Sequence, residues 1–80
     1  MSKPYEAQFP EGTQVRVKDL ESLDRFAREW KYHNPLTREQ LPFAGVVARV
    51  SEIGYYHGGD VLYKLDGIPG IWHEECLASP

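Results

Sequence analysis

The chain is poor in the residues that anchor the common small-protein chemistries. Among its 80 residues there is one cysteine, Cys76, and one methionine. A lone thiol forms no intrachain disulfide, so a secreted disulfide scaffold is excluded. It also leaves the H-x-x-C spacing of His73 and Cys76 without a second cysteine or paired histidine, so the sequence points to no metal centre and calls for no cofactor. No apolar run approaches the length that crosses a bilayer, and the opening MSKPYEAQFPEG lacks the apolar stretch of a signal peptide. The expectation is a soluble, cytoplasmic protein without a membrane partner. Positive charge is scarce too: 9 Lys and Arg stand against 12 Asp and Glu, a formal charge of −3. Phosphate binding needs clustered cations to release counterions, and here they are scattered among acids. Exposed tyrosines could stack on the bases of a single strand, but the acidic balance weighs against a nucleic-acid partner. There is no internal repeat and no low-complexity tract.

What is present is period-two alternation punctuated by glycine. Residues 45–77 read as a β-meander. Val46, Ala48 and Val50 face one side of a strand, with Val47 and Arg49 on the other. Val61, Tyr63 and Leu65 repeat the pattern, leaving Leu62 and Lys64 outside. Between them His57-Gly58-Gly59-Asp60 has the glycines of a tight hairpin turn. Asp66-Gly67-Ile68-Pro69-Gly70 is a second compact turn, and Ile71-Trp72-His73 a short last strand. Upstream, Gln14 to Lys18 alternates cleanly behind a turn at Glu11-Gly12 and gives a first strand. Residues 1–11 form an arm whose start is mobile and whose Tyr5 and Phe9 tuck against the body, with the domain proper at 12–80.

Over 19–33 the period changes to that of a helix. Leu20, Leu23, Ala27 and Trp30, with Phe26 beside them, fall three or four apart. Asp19 is placed to cap the helix, Glu21–Arg25 and Asp24–Arg28 are i,i+4 pairs, and Asn34-Pro35 stops it. Thr37-Arg38-Glu39-Gln40 has the spacing of a capping box, with Leu36 and Leu41 as its staple. The link between the first two strands is therefore a helical excursion at 19–43, and connections of such length tend to cover or to bind something.

Together these segments resemble an SH3-like barrel. They comprise G-x-x-V-x-V at 12–17, a long first loop, AGVVARV, a hairpin, GDVLYKL, and G-x-x-G-I-W-x-x-x-x-L at 67–77. The resemblance implies a mainly β fold, a barrel of about five antiparallel strands with one α-helix inserted between the first and second. It also implies a glycine turn followed by a strand, a helical turn and a short closing strand. The acidic aromatic motif that opens proline-peptide-binding SH3 domains is absent. The chain is also similar, through Val15-Arg16-Val17, His33, Thr37-Arg38, Leu41-Pro42 and Gly45, to the SH3-like domain of nitrile hydratase β subunits. That family keeps its metal in the partner α subunit, so the likeness implies an accessory role.

Cys76 as a nucleophile beside His73 needs a lowered thiol pKa and an exposed position, whereas a closing turn favours a packed thiol and solvated Glu74 and Glu75. The aromatic residues carry more weight. Tyr55 and Tyr56 alternate to opposite faces, so at least one is exposed, and Trp and Tyr dominate interface hot spots. The expected function is non-enzymatic: a module that binds a protein partner or self-associates through Tyr32, Tyr55, Tyr56, His57, Trp72 and His73. Equally open at this point is that Trp30 and Trp72 pack together as the helix closes the barrel. A small subunit of a metalloenzyme, or a barrel that holds nucleic acid or a small ligand in a void lined by Trp30, Tyr32 and Trp72, are the alternatives.

Overall fold

A computed structural model gives the architecture and describes residues 7–56 and 60–80. Five antiparallel strands form one sheet: β1 (Gln14–Val17), β2 (Val47–Tyr56), β3 (Asp60–Leu65), β4 (Ile68–His73) and β5 (Leu77–Ala78). Their spatial order is β4-β3-β2-β1-β5. A single α-helix, α1 (Leu20–Glu29), and a 3-10 turn, Arg38–Phe43, lie between β1 and β2, and a second 3-10 turn, Glu74–Cys76, precedes β5. The mainly β fold with one helix after the first strand is as the sequence predicts.

The sheet is open. β5 spans two residues, both paired to β1 through Arg16↔Ala78 and Val17↔Leu77, and β4 forms the opposite edge. Closure of the expected barrel needs β4 and β5 to exchange backbone hydrogen bonds, and no such pairing is present among the described residues. Part of the β4 edge is engaged by the excursion instead. The Gln40 side chain is buried, its Nε2 donates to the Ile71 carbonyl at 3.0 Å and its Oε1 accepts from the Thr37 N–H at 2.9 Å. That occupies one carbonyl of an edge strand, whose unpaired groups can otherwise template pairing with another chain. Gly70, at φ +89°, makes the approach possible, because a Cβ there would sit 2.7 Å from the Gln40 amide.

The core follows from strand alternation. Val15 and Val17 of β1 point inward between exposed Gln14 and Arg16. Val50, Val61, Tyr63, Leu65, Trp72, Cys76 and Leu77 join them, with Leu23 from α1 and Phe9 from the arm. Leu62 is also buried, although it lies on the opposite face of β3 from Val61 and Tyr63, where its neighbours across the strands are Gly54 and His73. Val46 precedes β2 and is exposed, and β2 runs on to Tyr56 with an irregularity between Val50 and Glu52. The β3–β4 connection is tighter than the sequence suggests. Leu65 pairs with Ile68, so Asp66-Gly67 makes the turn, with Gly67 at φ +74°, and Ile68 already belongs to β4. β2 and β3 pair antiparallel as far as Tyr56↔Asp60. The proposed turn at Gly58-Gly59 lies outside the described residues.

Helix α1 starts as its sequence dictates, with Asp19 Oδ1 accepting from the Ser22 N–H at 2.9 Å, and the Glu21–Arg25 and Asp24–Arg28 pairs are formed. It ends at Glu29, short of His33, because Trp30 turns extended as the C-cap (φ −85°, ψ 115°) and its indole N–H reaches the His33 carbonyl. On its inward stripe Leu23 is buried and Phe26 and Trp30 are half-buried. Leu20 and Ala27 are exposed, on a helix that contacts the body over a narrow strip.

Candidate functional site

The loop leaving α1 folds onto the end of the β2–β3–β4 sheet and builds an aromatic and imidazole cluster. His73 ends β4 and is 4% exposed. Its ring packs 4.9 Å from Phe26, 4.8 Å from Trp30 and 5.5 Å from His33, centroid to centroid. His73 Nε2 donates to the Asn34 carbonyl at 2.8 Å, which fixes the tautomer and tethers the loop to the strand. Asn34 takes a left-handed φ of +49°, a conformation that asparagine tolerates better than most residues. His33 lies flat on Tyr56, with ring centroids 3.6 Å apart and planes 15° apart. Its Nε2 stands 3.2 Å from Asp60 Oδ2 but outside hydrogen-bonding geometry, so the contact is electrostatic when the ring carries a proton.

Trp30 is the hub. Its ring stacks with Phe26 and meets Tyr32, His33 and His73 edgewise or tilted. Beside it opens a cleft of about 120 Å³ lined by Phe26, Trp30, Asp60, Val61, His73, Glu74 and Glu75. A second, mostly apolar hollow of about 200 Å³ lies over the strands, lined by Gly54, Tyr55, Leu62 and Ile71, with Glu52 and Lys64 paired at 3.8 Å.

Of the residues singled out from sequence, Tyr32, Tyr55 and Tyr56 are exposed, at 71%, 50% and 41%. Both tyrosines of the pair reach the surface, although Tyr55 pairs across the strands with Val61 of the core. Trp72 does not. It is wholly buried, paired across β3 with Tyr63, so it holds the core and offers no contact surface. His73 likewise lies beneath the loop rather than at an exposed strand edge. His57 lies outside the described residues. Trp30 and Trp72 do not form the expected pair: the ring contacts of Trp30 among the described residues are those given above. Of Trp30, Tyr32 and Trp72, only Trp30 lines the cleft described above.

Cys76 is buried, and desolvation, with help from the Glu75 charge, pushes its thiol up to about 12. Such a thiol stays protonated at neutral pH and is a poor nucleophile. Glu74 is not simply solvated. Its Oε2 accepts from the Tyr63 hydroxyl at 2.5 Å and from the Gln8 N–H at 3.0 Å, and Tyr63 in turn accepts from the Phe9 N–H at 3.3 Å. Burial and that carboxylate together hold the Tyr63 phenol well above its ordinary range. Among the described residues no group of three metal-ligating side chains converges.

Sequence reasoning does not reach Phe26 as a site residue, and it reaches Trp30 only as the lining of a void with Tyr32 and Trp72. Asp60 follows the expected turn and Trp30 ends the expected helix face, and no local spacing links them. The one available signal was the density of aromatic and imidazole residues over 30–34 directly before a proline. Comparison of the chain with family models, curated proteins and solved structures finds no match in any of the three.

Proposed function

We propose that this chain is a non-enzymatic protein-interaction module of SH3-like architecture that docks a protein partner or a second copy through the aromatic surface at the end of α1. The observation that carries the reading is the continuous run Tyr32–Trp30–His33–Tyr56, whose two outer tyrosines are well exposed. Rings held by one another lose little side-chain entropy on binding, which is why tyrosine and tryptophan concentrate binding energy at interfaces. Two features support the SH3-like kinship: the last strand returns beside the first, and a single 3-10 turn precedes it.

The test replaces Tyr32 and Tyr56 together by Ala, two exposed positions whose loss leaves the core intact. Sedimentation and capture from the native host are then compared with the unaltered chain. A dimer or a discrete partner that the double variant loses supports the module. An unaltered chain that sediments as a monomer at high concentration and captures nothing overturns it.

The reading as an accessory subunit of a metalloenzyme is favoured by one observation, a Val15-Arg16-Val17 strand feeding a long excursion that returns at Gly45. Co-purification with a larger metal-containing chain would select it.

A further inference from the structure

The cleft beside Trp30 has a chemistry of its own. One wall is aromatic, formed by the stacked rings of Phe26 and Trp30 at 5.4 Å, with the buried His73 imidazole packed against both. The lining also includes three acidic residues, Asp60, Glu74 and Glu75, from the start of β3 and the turn before β5. Among the described residues no lysine or arginine lines it. Two of the carboxylates are fixed by other contacts: Glu74 by Tyr63 and Gln8, and Asp60 by its position against His33. Glu75 is exposed. Aromatic faces present negative potential to a cation, and carboxylates held beside them in a concave, half-dry site add to it. A neutral or anionic occupant gains neither interaction.

Resting on the interaction-module reading, we propose that this cleft receives a lysine or arginine side chain from a basic segment of the partner protein. The aliphatic stem lies along Phe26 and Trp30 while the ammonium or guanidinium faces Asp60, Glu74 and Glu75. The volume of about 120 Å³ suits the distal part of one such side chain and excludes a folded element. The adjoining exposed tyrosines then contact the residues that flank it. Lysine and arginine differ in hydrogen-bonding geometry, and the experiment separates them.

The experiment titrates isotopically labelled full chain with three octapeptides in which glycine alternates with lysine, arginine or glutamine. Backbone amide shifts and the Trp30 indole signal are followed. The lysine or the arginine peptide is expected to move the Trp30 indole and the amides of Asp60, Glu74 and Glu75. The effect should weaken severalfold between low and moderate salt, and the glutamine peptide should leave these signals in place. Glu75→Gln, at an exposed position, should weaken binding about threefold or more, and Trp30→Leu about tenfold or more, with amide dispersion confirming that both variants fold. If Trp30→Leu does not fold, Glu75→Lys serves in its place and should abolish binding.

The inference is overturned if the basic peptides move nothing at millimolar concentration. It is equally overturned if they shift the helix carboxylates Glu21 and Asp24 instead of the cleft, or if Glu75→Lys binds as well as the unaltered chain. A partner lost on changing Tyr32 and Tyr56 but indifferent to Glu75→Lys would leave the module standing and remove the cation cleft. A chain that binds the basic peptides in the cleft yet neither dimerises nor captures a partner would do the reverse.

Discussion

At the residue scale, Gln40 is the least replaceable polar side chain in the excursion. It is 1% exposed and joins Thr37 to Ile71, so truncation leaves a part-buried N–H and a part-buried carbonyl without these partners. Gln40→Ala should cost about 2–4 kcal/mol, since each stranded group costs about 1–3 kcal/mol, and urea denaturation measures it. Gly70→Ala should destabilise too, because the added methyl meets the Gln40 amide at 2.7 Å on a backbone already at φ +89°. Equal midpoints for Gly70→Ala and the parent chain would disprove that packing. Cys76 makes a different claim at this scale. Its raised thiol should react with a disulfide reagent at pH 8 only at the rate of unfolding, and rapid stoichiometric labelling of the native chain would contradict the burial.

At the scale of elements, the loop after α1 is held to the sheet by His73. Burial is the main cause that holds this imidazole below its ordinary value of 6.5; the Asn34 carbonyl opposes it, the neighbouring His33 adds to it and Asp60 opposes it. Above pH 6.5 the ring is neutral in both folded and unfolded chains, and its contribution to stability is whole. As the pH falls through 6.5, the unfolded chain takes up a proton that the folded chain resists, so stability drops. The melting temperature should therefore decline between pH 7 and pH 5, and His73→Gln should flatten the decline. An identical slope in that variant would show that His73 is not its source. Asp19 acts in another window. Its hydrogen bonds to Ser22 lower its carboxyl, so its cap is lost only as the pH falls below 3.8.

The helix teaches a related lesson. Spacing alone put Leu20, Leu23, Ala27 and Trp30 on one face with Phe26 beside them, yet packing selects Leu23, Phe26 and Trp30 and leaves Leu20 and Ala27 exposed. Both sets have helical periodicity. Which one faces the core depends on the angle at which the helix meets the sheet, and that angle is not written in the helix.

At the scale of the whole molecule, a chain of 80 residues buries a modest core, so each large side chain within it weighs heavily. The arm shows this. Phe9 is 4% exposed and packs 5.8 Å from the Tyr63 ring, and so the core extends upstream of the first strand. Phe9→Ala should cost about 3–5 kcal/mol by the usual scale for a buried aromatic. A loss under about 1 kcal/mol would mean that the arm is peripheral. Among the described residues no helix is long and apolar enough to cross a membrane.

The amino-acid sequence determined whatever depends on neighbours a few positions apart. It set the alternating strands, the Asp19 cap and its i,i+4 pairs. These obey periods and caps that operate within one or two turns of chain. Tertiary structure decided that the sheet stays open, that Trp72 goes inside, and that Phe26, Trp30, His33, Tyr56, Asp60 and His73 assemble at one place. Those outcomes depend on which distant surfaces exclude water from one another, and a contact between residues some forty positions apart leaves no local trace in the order of either segment.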